Sequence, residues 1–443
     1  MLPSSRSRPR SSLTALVVGA LTLAFTPSVS SAQQDTPWVS MTLEEAVARA
    51  HKVSPQIVQA EGAIRTAAAA ERSAFGAYLP GLSFSAGSSL ASSERFNPTT
   101  GTPVTGSSDS YNAALSASWD VFTGFRRRSQ KQRAQAESQS AEAQLAGQRF
   151  TVEISVERPF FDGLRAEELM AVARARIERA QQGAEAAERR LAVGSATRSD
   201  VLRAQLELNT AKESLLQYEN QRLTAALALG RLVGIDGPVD PAPSGPLEPT
   251  PIKSSREEVI SSLVAQAPSV HSAEASVLAA EAGIGTARSV YYPSVRLSAG
   301  YDWFNQDFGF AGGRTSWSVR LGLSYPIFDG FQREEGMVRA TTQAEVAQSQ
   351  LADTRREVRS EAERVLSQLE LVEQRIAMAR QAEEVAAEDL RVQQERYHLG
   401  ATTILELLTS QTALVEAQNN LVGLRFDYLL TRAELESILG RKL

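Results

Sequence analysis

The sequence has no cysteine and only three histidines among its 443 residues. Without cysteine there are no disulfides, no thiol chemistry and no lipid anchor on an N-terminal cysteine. The histidines at positions 51, 271 and 398 are scattered, and neither a phosphate-binding glycine loop nor a nucleophile elbow is present. We therefore expect no enzyme, no catalytic residues, no cofactor and no bound metal.

Long apolar runs are also missing. The first apolar stretch, Leu13 to Phe25, is too short to span a bilayer as a helix, and no later stretch reaches 18 apolar residues. Three arginines precede that stretch, and the small residues Ser30, Ser31 and Ala32 follow it. This order predicts a secretory signal peptide over residues 1–32. Any membrane crossing by the rest of the chain has to be made by strands.

Positive charge is not in excess. The formal net charge is −5, which excludes nucleic acid as the partner. Aromatic residues make up only 6% of the chain, while Ala, Gln, Glu, Arg and Leu dominate long stretches. That composition is typical of extended helices and coiled coils.

The chain contains two tandem repeats. A shift of 213 residues superposes Tyr78 on Tyr291, and after the strands a shift of 206 superposes Gly124-Phe125 on Gly330-Phe331. We predict a first repeat over residues 33–235, a Pro-rich linker over 236–252 and a second repeat over 253–443. Each repeat reads helix, two strands, long helix, short helix. The linker is expected to be an irregular belt.

The predicted strands alternate apolar and polar residues with period two. Tryptophan and tyrosine lie near strand ends, which favours a membrane barrel over a soluble sheet with one face on a core. The seven-residue difference between the two hairpins predicts extracellular loops at 97–108 and 308–313. The apolar positions are Leu82, Phe84, Ala86, Tyr111, Ala113, Leu115, Ala117, Trp119, Val295, Leu297, Ala299, Tyr301, Trp303, Trp317, Val319, Leu321, Leu323 and Tyr325.

The long helices are predicted over residues 125–193 and 331–399, each roughly 100 Å long at 1.5 Å per residue. The shorter helices, 42–76 among them, are expected to stack end to end along them and to meet at mid-height beside the linker. Pro159 should kink the first long helix. Four strands cannot close a barrel, and lipid does not tolerate open sheet edges. We expect a homotrimer with a 12-stranded barrel.

The chain resembles the TolC-type outer-membrane efflux and secretion ducts. The resemblance is carried by the corners Trp119–Phe125 and Tyr325–Phe331 and by the helix tips around Gly194 and Gly400. It implies an α+β membrane protein with four transmembrane strands per chain and coiled-coil helices forming a periplasmic α-barrel. It also implies passive conduction through the outer membrane, with the tips docked on a periplasmic adaptor of an inner-membrane pump. A periplasmic coiled-coil adaptor or scaffold is the alternative.

The tips supply the candidate gate residues. Asp200 and Glu406 either form acidic rings or complete N-terminal capping boxes with Thr197 and Thr403. The resemblance makes Tyr397 a gate tyrosine. The family's gate arginine and second acid correspond here to threonines, and a further arginine near the first tip offers another closing group. These three residues are Thr402, Thr409 and Arg198.

Two arginines on the polar strand faces, Arg296 and Arg320, are candidates for the channel lumen. The alternative is an ordinary solvated surface.

Overall fold

The computed structural model describes residues 38–97, 99, 101–243, 245, 256–257, 260, 265–309 and 311–442. The predicted signal peptide, residues 1–32, lies outside the described residues. So do positions 244 and 246–252 of the predicted linker.

The elements of the first repeat follow the predicted order, with one short strand added at the start. They are β1 (Val39–Thr42), α1 (Leu43–Val53), α2 (Pro55–Gly76), β2 (Gly81–Asn97), β3 (Thr102–Thr123), α3 (Arg126–Ala192) and α4 (Arg198–Val233). The second part of the chain contains β4 (Val239–Ala242), α5 (Pro268–Arg288), β5 (Ser294–Asn305), β6 (Arg314–Ser324), α6 (Gln332–His398) and α7 (Ile404–Leu439).

The two long helices are equal in length, 67 residues each, because the same signals bound them. Each starts after a glycine and a phenylalanine with positive φ, and each ends two residues before a glycine at the tip. Pro159 is buried inside α3, and the helix continues through it. The predicted kink stays a prediction.

The helix predicted over residues 42–76 is divided at Ser54. Proline disfavours helical backbone in the residue before it, and Ser54 accordingly has extended dihedral angles. Pro55 then serves as the first residue of α2, where its missing N–H is not needed.

The main sheet is antiparallel with strand order β2-β3-β5-β6. The loop predicted at 97–108 is wrong for most of that range. In the first hairpin, β2 and β3 stay paired from Gly81–Ser118 to Asn97–Thr102. The seven extra residues therefore lengthen two strands rather than a loop. The Ser- and Thr-rich sequence concealed this, since it lacks alternating apolar residues. The described residues of the loop predicted at 308–313 lie outside the strands, with a bend at Phe308 and a turn at Gly312.

A second, two-stranded sheet joins the start of the first repeat to the linker. β1 pairs in parallel with β4, from Val39–Val239 to Thr42–Ala242. The linker was expected to be irregular, and here four of its residues form a strand. Pro241 is tolerated because both strands of this sheet are edges.

The largest core cluster lies where the ends of the shorter helices meet the middle of α3. Val233 is fully buried there, and its carbonyl accepts a 2.9 Å hydrogen bond from Arg49 Nε. At the equivalent place in the second repeat, Gly440 approaches Pro268 so closely that an added Cβ would lie 2.6 Å from the proline ring. The predicted end-to-end meeting of the shorter helices is therefore present in both repeats.

Candidate functional site

The helix tips are built alike in both repeats. Gly194 and Gly400 each have a φ of 75°, in the left-handed region that favours glycine, and both are exposed. The amides just beyond them bond back to the last helical turn: Ser195 N to the Arg190 carbonyl at 2.9 Å, and Ala401 N to the Arg396 carbonyl at 2.8 Å. The chain then reverses into α4 or α7.

The next helix of each tip is capped by a threonine, but the two acids behave differently. Thr197 and Asp200 form a full capping box, with Asp200 Oδ2 accepting from Thr197 N at 2.8 Å. This backbone bond, and then the Thr197 hydroxyl, lower the pKa of Asp200. Thr403 caps α7 through Glu406 N at 3.4 Å, whereas the Glu406 carboxylate accepts from the Thr402 hydroxyl instead.

Tyr397 lies in the core of the tip and is only 6% exposed. The guanidinium of Arg190, on the other tip of the same chain, lies over its ring at 4.1 Å from the centroid. Arg190 also donates to the carbonyl of Tyr397 and, at 3.1 Å, to that of His398. Arg190 is not among the site residues predicted from the sequence. Its match with Arg396 in the repeat gave no sign of an aromatic partner.

The remaining tip candidates are not gathered around Tyr397. Thr409 donates its hydroxyl to the Leu405 carbonyl of its own helix at 2.9 Å. Arg198 is exposed at the first position of α4. Within one protomer, the two tips pack through an apolar cluster that includes Val201, Ile404 and Leu407, and Arg190 with Tyr397 adds a cation–π and hydrogen-bond contact between them.

One face of the sheet is polar. Ser298 pairs with Arg320 in the ladder, and Arg296 lies two residues before Ser298, so both arginines are on this face. Both are exposed. Arg296 Nε donates to Asp120 Oδ1 at 2.6 Å, while Arg320 carries its charge farther along β6.

The opposite face of the sheet is apolar and exposed. Trp317 is 76% exposed and Leu82 is 72% exposed, although both belong to paired strands. At the far end of the β5–β6 ladder Trp303 pairs with Thr315, and the other cross-strand pairs on this face are apolar. These pairs are Tyr301–Trp317, Ala299–Val319, Leu297–Leu321 and Val295–Leu323.

An arginine secures each junction between sheet and long helix. Arg127 lies over the ring of Tyr78 at 4.8 Å and donates to the Val121 carbonyl at 2.9 Å. Arg333 repeats this arrangement over Tyr291 at 5.3 Å, with a 3.1 Å bond to the carbonyl of residue 327. Neither arginine is among the residues predicted from the sequence, although the 206-residue shift relates them.

Within the part of the chain that the structure describes, none of the helices combines the length and the apolarity needed to cross a bilayer.

Comparison with known proteins gives a family match over most of the chain. The model of the family described as outer membrane efflux protein matches residues 46–235 and 259–441. The chain is 26% identical over 250 residues to the toluene efflux pump outer membrane protein TtgC of Pseudomonas putida, covering 56% of this chain and 52% of that relative. It is 26% identical over 411 residues to the pyoverdine export outer membrane protein OpmQ of Pseudomonas aeruginosa, covering 90% and 85%.

The chain therefore spans about half the length of TtgC and most of OpmQ. Among solved structures, the outer membrane protein VceC of Vibrio cholerae matches with a TM-score of 0.76 at 22% identity. The match covers 90% of this chain and 96% of VceC. At this identity the likeness shows the fold, and it confirms the predicted fold class.

Proposed function

We infer the function from one premise: this chain belongs to the outer membrane efflux protein family, and it is an outer-membrane protein that extends into the periplasm. We propose that it is the passive duct of a tripartite efflux or type I secretion system. In this role it conducts substrates from an inner-membrane pump to the exterior and catalyses no reaction.

The observation that carries this proposal is the four-stranded sheet with a continuous exposed apolar face. Burying apolar side chains contributes roughly 25 cal/mol per Å², so a face of this kind needs an apolar surrounding. Lipid supplies it, and the polar face with Arg296 and Arg320 then lines the lumen. Lumenal arginines would favour anionic groups on passing cargo.

The proposed assembly is a homotrimer. Strands β2 and β6 are the edges of the sheet, and unpaired backbone groups are costly in lipid. Three copies place twelve strands in one closed barrel. The long helices, each about 100 Å at 1.5 Å per residue, then continue the barrel as a periplasmic tunnel.

We propose that the tips form the periplasmic gate. Glu406 is exposed, and Asp200 is partly so, which suits acidic rings around a narrow mouth. Asp200 would contribute to such a ring while its carboxylate accepts the hydrogen bond from Thr197 N in the capping box. Tyr397 acts with Arg190, and the exposed Arg198 adds a cation at the mouth. Thr402 holds the Glu406 carboxylate.

Thr409 lies at the position of the family's second gate acid, and its hydroxyl donates a hydrogen bond to a carbonyl of its own helix. We therefore propose that closure relies on the contact between Arg190 and Tyr397. The turns at Gly194 and Gly400 are the farthest parts of the helical hairpins from the sheet. We propose that they dock onto the periplasmic adaptor.

The alternative of a periplasmic adaptor or scaffold is disfavoured by the family match and by the outer-membrane location. In the aqueous periplasm, a sheet with an exposed apolar face and unpaired edges would be unfavourable for an adaptor.

Reconstitution tests the proposal. The purified protein, extracted in detergent, should have three times the mass of the monomer and should conduct ions in planar bilayers without an energy source. A monomer with full β-content that conducts nothing would contradict it.

A further inference from the structure

A basic cluster lies at the junction between the sheet and the first long helix. Residues 126–133, at the start of α3, contain five arginine or lysine side chains and no acid. The matching residues of α6, 332–339, contain two arginines and two glutamates. Cations at the start of a helix oppose the helix dipole, so helix stability does not account for the cluster.

The cluster is divided between two sides of α3. Arg126 Nη2 lies 4.0 Å from Asp120 Oδ2, so Arg126 is on the side of the polar sheet face. Arg133 follows seven residues later on the same side and pairs with Glu137 at 2.8 Å. Arg128 is only two residues beyond Arg126, which is about 200° around an α-helix. Arg128 therefore lies on the side of the apolar sheet face, and it is exposed.

The end of α5 is held tightly against the start of α3. Gly124 has a φ of 61° and lies so close to the end of α5 that an added Cβ would be 2.3 Å from the Ser289 carbonyl oxygen. One turn before that end, an added Cβ on Gly285 would be 2.3 Å from Ser129 Oγ. Arg288 lies in sequence between these two contacts and is exposed. Its backbone is thus fixed beside the start of α3.

Arg128 and Arg288 lie on the same side of the pair of helices. There α3 and α5 form a groove of about 370 Å³, with Gln132 and Glu281 among its lining residues. Arg128 is one helical turn nearer the sheet than Gln132, and Arg288 is two turns nearer than Glu281. Both arginines therefore border the sheet end of this groove. Neither makes an ion pair with any residue that the structure describes.

Aromatic rings connect the two arginines to the apolar face of the sheet. Phe125 contacts Phe122 and Tyr292 edge to face, with ring centroids 5.3 and 5.6 Å apart. Phe125 is 56% exposed and Tyr292 is 43% exposed. Phe122 pairs with Val295 in the ladder, so the rings continue the apolar face. Exposed rings next to arginines are typical of the border between lipid acyl chains and headgroups.

We propose that Arg128 and Arg288 bind the phosphate of an anionic glycerophospholipid headgroup in the periplasmic leaflet of the outer membrane. The proposal rests on the proposed duct function, which puts the apolar sheet face in lipid. The phosphate accepts hydrogen bonds from the two guanidinium groups, and the acyl chains lie along Phe125 and the apolar face. Because β3 and β5 are the inner strands of the sheet, the site is complete within one chain.

The internal repeat limits the site to this junction. The shift of 206 residues places Glu334 at the position of Arg128, and the shift of 213 places Phe75 at the position of Arg288. A carboxylate repels a phosphate, and a phenyl ring donates no hydrogen bond to it. We therefore expect one such lipid site per chain.

Lipid titration of the mature protein in detergent, followed by native mass spectrometry, tests the site. The probes are dimyristoylphosphatidylglycerol, the uncharged phosphatidylethanolamine with the same acyl chains, and inorganic phosphate. We expect the unmodified protein to bind the phosphatidylglycerol more tightly. Since one cation near an anionic lipid surface changes binding roughly fivefold, Arg128→Gln with Arg288→Gln should weaken that binding about 25-fold. Binding of the phosphatidylethanolamine should change little.

The matched control is Arg126→Gln with Arg133→Gln, which removes two charges from the other side of the same helix. This control should bind phosphatidylglycerol as the unmodified protein does. Equal weakening in both double variants would show that net charge sets the preference, and no weakening in Arg128→Gln with Arg288→Gln would show that another surface binds the lipid. Either result would overturn the site. Displacement of the lipid by millimolar inorganic phosphate would overturn its assignment to a lipid headgroup.

Conductance separates this proposal from the proposed function. If the unmodified protein forms conducting trimers but does not prefer phosphatidylglycerol, the lipid site is wrong and the proposed function stands. If the unmodified protein is neither trimeric nor conductive, the proposed function itself fails.

Discussion

The guanidinium of Arg190 lies 4.1 Å from the ring centroid of Tyr397, at a sequence separation of 207 positions. The contact joins the two helical tips of one protomer. It combines an attraction between cation and ring with hydrogen bonds to two backbone carbonyls at the end of α6. A gate that opens by separating these tips has to break it.

We predict that Arg190→Ala and Tyr397→Leu shift the proposed duct toward its open state. A partly buried cation–π contact contributes about 1 kcal/mol, which corresponds to roughly a fivefold change in the ratio of closed to open channels. Single-channel open probability in planar bilayers measures this ratio. Tyr397→Phe keeps the ring and should leave it unchanged.

Arg396→Ala is the matched control, because Arg396 is the counterpart of Arg190. Its hydrogen bonds go to Gln393 at 3.4 Å and to the carbonyl of Ala401 at 3.5 Å, both on its own hairpin. If Arg396→Ala opened the channel as much as Arg190→Ala, loss of any tip arginine would explain the result and the contact would not be the latch.

The two tip acids should contribute unequally to ion selectivity. The Glu406 carboxylate is held by a threonine side chain and is free of the helix backbone, whereas Asp200 bonds the amide of Thr197. We predict that Glu406→Gln lowers cation preference and block by multivalent cations, and that Asp200→Asn has the smaller effect. Reversal potentials in asymmetric salt measure the preference.

Stability separates the two roles of these acids. Asp200→Ala should cost on the order of 1 kcal/mol, because it removes the carboxylate that completes the capping box with Thr197, while Glu406→Gln should cost little. Unchanged selectivity in both Glu406→Gln and Asp200→Asn would remove the acidic-ring hypothesis for this protein.

The sequence predicted the long helices and the faces of the strands because both depend on local periodicity. It missed the extension of β2 and β3 beyond Gly87, since serine and threonine follow there without an alternating apolar set. It also missed Arg190, because a guanidinium and a ring 207 positions apart meet only through the packing of two hairpins. The strand β4 was hidden by Pro241, which suggested irregular chain.

The corrected first hairpin changes the topology prediction. The chain turns near Thr99, at the end of two long strands, and turns again near Gly309. We predict that Thr99→Cys and Gly309→Cys react on intact cells with a polymer-linked maleimide too large to cross the outer membrane. Val193→Cys, at an exposed tip position, is the control and should react only after permeabilisation. The reverse pattern would invert the orientation.

A buried acid in α3 gives the protein a pH-dependent stability. Glu157 is 7% exposed, and burial, followed by the nearby carboxylates of Glu153 and Glu436, raises its pKa to about 7. Lys442 bonds Glu153 at 2.6 Å and offsets only part of this. Since the folded pKa lies above the ordinary value of 4.5, ionising Glu157 opposes folding.

The destabilisation caused by ionised Glu157 is absent below pH 4.5, grows as the pH rises to about 7, and reaches its full value above that pH. Glu157→Gln should therefore raise the free energy of unfolding at pH 8 by up to about 3 kcal/mol and change it little at pH 4.5. Thermal melting in detergent, followed by helical circular dichroism, measures the difference.

Glu363, the counterpart in α6, is half-exposed and accepts a 3.0 Å bond from Arg359. Glu363→Gln should give no such pH-dependent gain. An equal gain from Glu157→Gln at both pH values would show that better packing of the amide, not loss of the buried charge, stabilises the helix.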